Sequence, residues 1–275
     1  MLRARVITAV VLLAVLLPAL FASDPSVFVL LAWLFVLAGM WEWGRLNGLG
    51  QTRSLGLAGV LGGAALVLWL QGVLTVPSVA WWAWGTVWVL GGALLLKRGV
   101  AGWGLLPLWL RLPVGYAALV MVWMSLNLLR HSGHNMLLSA MALVWAADVF
   151  AYFGGKAWGR RKLAPNISPG KSWAGAYTGA VGVVVVAIVW VWADQILNVS
   201  VPSIYSVLWG RHQWLALAPL LGLVAMSVVG DLVESLVKRS AGMKDSSQLL
   251  PGHGGVLDRV DALLPVLPLT ICVLG

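Results

Sequence analysis

Seven of the nine carboxylates in this chain fall in its second half, and several stand at helical spacings. In SVVGDLVESLVKR, Ser227 to Arg239, the residues Asp231, Glu234 and Lys238 lie at i, i+3 and i+7, so a helix there shows all three on one face. An ionisable residue in or beside an apolar helix is costly and points to a polar cavity or a partner. Further on, KDSSQLLPGHGGVLDRVD carries Lys244 and Asp245, then Pro251, Gly252, His253, Gly254 and Gly255, then Asp258, Arg259 and Asp261. The glycines predict a tight, exposed backbone whose N–H groups can meet an anion or a closely approaching ligand. Asp258 and Asp261 recur at i, i+3 where a helix begins, and so project the same way. Capping of a helix start explains one aspartate, but not two with Asp231 on a neighbouring helix. Like-charged carboxylates that converge repel unless they are protonated or hold a cation. Oxygen-only ligands suit Mg2+, which keeps waters and binds one or two carboxylates plus substrate phosphates. A divalent-metal site for a phosphate-bearing substrate is the economical reading, with Asp258 favoured over Asp261 as the residue that touches the metal.

A second charged segment, DVFAYFGGKAWGRRKLAPNISPGKSWAG, runs from Asp148 to Gly175. Its GKS, Gly170 to Ser172, resembles a phosphate-binding P-loop, but Pro165 stands where that motif needs glycine and an apolar helix precedes it in place of a strand. Both departures argue against a P-loop NTPase. The cations Lys156, Arg160, Arg161, Lys162 and Lys171, with Ser168 and Ser172, still make a cradle for a polyanion. Ordinary loop charge accounts for Arg160 to Lys162; ISPGKS is expected to turn and place Lys171 at the start of the next helix.

The elements that must position these residues are membrane helices. The chain has 275 residues, 61% hydrophobic and only 10% charged, against about 25% charged in soluble domains. Trp occurs 18 times, in clusters such as Trp81 to Trp88, and favours the membrane–water interface. The single cysteine, Cys272, excludes an intrachain disulfide. A net charge of +9 arrives in short clusters between apolar runs, which fits loops facing anionic headgroups rather than nucleic acid. A spanning helix needs roughly 20 apolar residues. An all-α polytopic membrane protein with about nine spans follows: 6–22, 27–43, 55–71, 79–96, 112–129, 136–153, 173–193, 214–237 and a short 262–275. The N-terminal run is read as an uncleaved first span. Basic residues (Arg3, Arg5, Arg45, Arg53, Lys97, Arg98 and those named above) alternate between loops, with Arg130 and Arg211 as exceptions. The N-terminus and the loops 154–172 and 238–261 are then cytoplasmic. Residues 1–130 read as a scaffold nearly free of acid, with Asp24 and Glu42 its only carboxylates, and 131–275 as the catalytic region.

At Ser235 to Asp261 the run S-L-V-K-R-x4-K-D-x5-P-G-H-G-G-V-L-D-R-V-D resembles the signature of phosphatidate cytidylyltransferases, the CDP-diacylglycerol synthases, and the segment from Asp148 through ISPGKSWAG resembles that family's second motif. The resemblance is detailed from Asp148 onward. It implies transfer of CMP from CTP to phosphatidate with Mg2+, in phospholipid biosynthesis at a bacterial inner membrane, with a homodimer as the family expectation. It also implies that Asp231, Asp258 and Asp261 hold the cation while Lys238, Arg239, Lys244 and Arg259 neutralise phosphates. His253, Gly254, Gly255 and Asp245 would shape the site, and Ser168, Lys171 and Ser172 would bind substrate phosphate with Asp148 in support. Ala262 and Ala174 depart from the family's more polar choices. A relative acting on another lipid phosphate or lipid alcohol shares this headgroup chemistry. A transporter would favour mid-membrane acids and repeat symmetry, whereas these acids gather in one half near one face.

Overall fold

The computed structural model describes residues 2–275, with side chains from Val6 onward, so Arg3 and Arg5 lie outside the described side chains. Helices α1 (Leu2–Phe21), α2 (Ser26–Leu46) and α3 (Gln51–Leu70) are followed by α4 (Ser78–Thr86), which runs through one π-helical turn (Val87–Gly91) into α5 (Gly92–Gly104). Then come α6 (Leu108–Ser132), α7 (His134–Trp158), a hairpin of β1 (Lys162–Ala164) and β2 (Ser168–Ser172), and α8 (Trp173–Ile196). Helix α9 (Ile204–His212) leads through a 3-10 turn into α10 (Leu217–Ser240), and α11 (Leu257–Val260) and α12 (Leu263–Leu274) close the chain.

Among the described residues, seven helical segments are long and apolar enough to cross a bilayer: α2, α3, α4–α5, α6, α7, α8 and α9–α10. The expected first and ninth spans are shorter apolar helices, Val6–Phe21 and the 12-residue α12. Among the described residues, the hairpin departs from the expected all-α structure. ISPGKS forms a strand paired antiparallel to β1, with Lys162 opposite Ser172 and Ala164 opposite Ser168, where a simple turn was expected.

Burial divides the helices by task. Half of α2, α6 and α10 is buried, while α3 and α8 expose side chains such as Val60 and Val181 to the surroundings. In hydrocarbon a polar group needs an internal partner, and the central tryptophans find theirs across helices. Trp123 Nε1 donates to Val29 O at 2.9 Å, Trp103 Nε1 to Asn47 Oδ1 at 3.1 Å, and Trp43 Nε1 to Arg111 O at 3.0 Å. Helices α7 and α8 meet along Gly175, Gly179 and Gly182; a Cβ at Gly175 or Gly179 would stand 2.8 Å from a backbone oxygen of α7. Such small-residue seams let membrane helices pack backbone to backbone. Gly230 does the same for α10: a Cβ there would lie 2.5 Å from Asp261 O and 2.8 Å from Pro265. The bare glycine thus lets the turn before α12 lie against α10 one residue from Asp231.

Candidate active site

Both charged segments meet at one end of the bundle. The hairpin ends at Ser172, whose hydroxyl accepts the Gly175 N–H at 3.2 Å and caps α8. That cap fixes Lys171, the preceding residue, against α10, where its ammonium pairs with Asp231 Oδ2. Ser235 Oγ donates to Asp231 Oδ1 at 3.3 Å. Asp148 on α7 and Asp261 feel the charges of this pair, and Asp148, Lys171, Ser172 and Asp231 line a cavity of about 240 Å3 between α7, α8, α10 and the hairpin. Burial, reinforced by the negative charge of Asp231, pushes the Asp261 carboxyl up to about 8 although Lys171 acts the other way.

A second polar knot lies beside it. Lys238 Nζ bridges Glu234 Oε2 and Asp258 Oδ1, 2.5 Å from each. Asp258 Oδ2 accepts the N–H of Ser246 at 2.9 Å, the Ser246 hydroxyl at 2.9 Å and the N–H of Gly255 at 2.7 Å. Burial works to raise the Asp258 carboxyl, but the Lys238 ammonium and these N–H donors outweigh it and hold the group below its usual range. Behind Asp258 sits Glu42 of α2, wholly buried. Its Oε1 accepts from Ser247 Oγ at 2.6 Å and Val256 N at 2.9 Å, and its Oε2 from Leu257 N at 2.8 Å and Ser246 Oγ at 3.1 Å. The Ser246 hydroxyl, with one proton, lies between two carboxylates. A Cβ on Gly255 would fall onto Glu42 Oε1 and Ser246 Oγ, and Gly254 turns the chain at φ +82°, a conformation side chains resist.

The three aspartates expected on the metal divide between two neighbouring groups: Asp258 sits in the Lys238 knot, and Asp231 and Asp261 lie near Lys171. Among the described residues no three His, Cys, Asp or Glu converge as metal ligands. Asp258, expected as first ligand, is already occupied by Lys238 and three further donors, as a brace of its loop. Asp231 and Asp261 stay together, with Lys171 as their cation. Ser172, expected on substrate, is buried and spends its hydroxyl on the α8 cap. Arg259 donates from Nε and Nη2 to His253 O at 3.0 and 2.7 Å and so braces the PGHG turn. Arg239 reaches Met243 O at 3.3 Å. Lys244 and Asp245 are exposed on the loop, and Ser168 is half-buried on β2. The sequence reading missed Glu42 as a functional residue, because it placed α2 in the scaffold. The cost of a carboxylate inside an apolar helix, applied to Asp231, was equally a signal at Glu42.

An apolar helical bundle that gathers cations, carboxylates and a glycine-rich turn at one end suits a membrane-embedded enzyme that handles phosphate-bearing substrates. The chain belongs to the cytidylyltransferase family, whose model matches residues 3–275. It is similar to a phosphatidate cytidylyltransferase of Pseudomonas aeruginosa, 38% identical over 275 residues covering 98% of this chain and 95% of the relative. A second, from Haemophilus influenzae, is 36% identical over 98% of this chain and 96% of the relative. A third, from Brucella abortus, is 38% identical over 96% and 89%.

Proposed function

We infer that this protein transfers CMP from CTP to phosphatidate, yielding CDP-diacylglycerol and pyrophosphate, at the cytoplasmic face of a bacterial inner membrane. The observation that carries the reading is the Lys171–Asp231 pair, lining a cavity at the end of an apolar bundle with the buried Asp261 close by. A phosphate oxygen of the lipid attacks the α-phosphorus of CTP, the new P–O bond forms, and the bond to the β-phosphate breaks with loss of pyrophosphate. The lipid supplies its own nucleophile, so the protein's task is to position two anions and neutralise their charge. Lys171 is placed to take phosphate oxygens once it leaves Asp231. Two carboxylates suit Mg2+, which completes its shell with waters and substrate phosphates. Asp231 and Asp261 would hold it, and when bound it would offset the charge that builds on the transferring phosphate. The cationic Lys171, paired with Asp231 and near enough to act on Asp261, supports that fit. Asp258, Lys238 and Glu42 hold the signature loop in the shape that puts Asp261 beside Asp231.

The test is direct. Purified protein with labelled CTP, phosphatidate and Mg2+ is expected to form a CMP-lipid and pyrophosphate, and to lose that activity in EDTA and in Asp231→Asn. Folded wild-type protein that forms neither product overturns the reading.

A further inference from the structure

Helix α10 also presents a face to a second cavity, which Asp231 does not line. Gly230, Val233 and Glu234 on that face join α4, the π turn, α5 and α6 around an almost wholly apolar cavity. It runs from Trp84 to Arg98, which is about 21 Å of helix at 1.5 Å per residue, enough to reach past the middle of a hydrocarbon core about 30 Å thick. Its wall includes the π turn Val87–Gly91, and π turns often mark functional sites.

Two features set the chemistry of an occupant. Arg98 and Arg111 stand at the end of the cavity that meets the signature segment through Leu257 and Glu234. Arg111 Nε and the indole N–H groups of Trp84 and Trp88 have no acceptor, although Trp88 is only 9% exposed. Buried polar groups normally have partners, so these donors call for an occupant that supplies acceptors. A lipid phosphate and its acyl esters do so on an otherwise apolar body. Arg98 also borders a hollow with Lys97, Leu163 and Val228, and the polar cavity shares Leu163 and Val228 with that hollow. The arginine thus stands where the apolar cavity opens toward the site of nucleotide chemistry. Its stem lies across Gly102, where a Cβ would strike it, just beyond the break in α5 at Gly99 (φ +68°).

We propose that this cavity takes one fatty-acyl chain of the phosphatidate substrate, with Arg98 and Arg111 holding the lipid's phosphate at its mouth. The assignment rests on the function proposed above and adds that residues of the first half select the lipid.

Gly91 lines the cavity and a Cβ there meets nothing within 4 Å, so Gly91→Phe can fill the space. With phosphatidates of graded chain length, Gly91→Phe is expected to shift the preferred substrate to shorter chains while the KM for CTP stays at the wild-type value. Arg98→Ala is expected to raise the KM for phosphatidate about tenfold or more, the effect of losing a charge-assisted hydrogen bond, again without moving the KM for CTP. An unchanged chain-length profile in folded Gly91→Phe, or equal rises of both KM values in Arg98→Ala, overturns the proposal. Should Gly91→Phe not fold, wild-type protein with phosphatidate carrying a photoreactive acyl chain decides it. Crosslinks within α4, the π turn, α5 or the start of α6 support the assignment. Crosslinks confined to other helices overturn it, as does labelling by photoreactive phosphatidylglycerol that phosphatidate does not displace, the mark of a bystander lipid. Wild-type protein that makes no CMP-lipid at all speaks against the proposed reaction instead, and the crosslinks still report on the cavity.

Discussion

Lys238 is the residue on which the polar knot turns, because it is the one cation shared by Glu234 and Asp258. Removing one partner of a buried ion pair costs about 3–5 kcal/mol, a large part of a total stability of about 5–15 kcal/mol. Lys238→Met, which leaves two carboxylates without their counter-charge, is expected to lower the unfolding temperature sharply in detergent, as read by tryptophan fluorescence. Asp231→Asn is expected to behave differently: its carboxylate is a quarter exposed, so stability should change little while activity falls by at least about a hundredfold, the scale of losing one preorganised electrostatic contact. Asp258 fixes the pH response. Its folded pKa lies below its ordinary value, so its contribution to stability is complete above about pH 4 and is lost as pH falls through the depressed folded value. Unfolding temperatures measured between pH 3 and 6 should show this acid-side loss in the wild type, and a smaller loss in Asp258→Asn.

At the scale of elements, one helix of the first half holds the loop of the second. Glu42 on α2 receives four donors from Ser246, Ser247, Val256 and Leu257. In Glu42→Gln the new amide NH2 must face N–H and O–H donors, and in Glu42→Ala the Ser247 hydroxyl and the Val256 and Leu257 N–H groups lose their acceptor in a dry site, while the Ser246 hydroxyl keeps Asp258. Unsatisfied buried groups cost about 1–3 kcal/mol each, so the alanine variant is expected to be the less stable of the two, and both should lose turnover more than CTP affinity. Gly255→Ala attacks the same contact from the loop side. Because the two sites touch, the double variant Glu42→Gln/Gly255→Ala should fall short of the sum of its single effects, a non-additivity that a double-mutant cycle in unfolding free energy reads directly.

Across the whole molecule, the membrane class and the two charged segments were legible because charge is conspicuous in so apolar a chain, and a signature as long as Ser235 to Asp261 is rarely matched by chance. The way the aspartates divide was not. An i, i+3 pair at a helix start looks the same whether it braces a loop, as Asp258 does, or is buried close to Asp231, as Asp261 is. The grip of Glu42 on residues more than 200 positions away leaves no local pattern at all. The hairpin at ISPGKS was hidden because its strands are short and their pairing is irregular. Topology can be checked with the chain's own chemistry. Cys272 is 4% exposed and is the sole cysteine, so in a Cys272→Ser background an impermeant maleimide should label Asn166→Cys and Gln248→Cys from one side of the membrane and Val199→Cys from the other. The pair formed by Lys171 and Asp231 has a consequence for the order of events. In the resting protein each residue neutralises the other, so whichever substrate arrives first must part them and the second finds them already separated. Nucleotide and lipid should therefore bind with synergy, each tightening the hold on the other, and only an enzyme with neither of them present keeps its reactive end closed by its own charges.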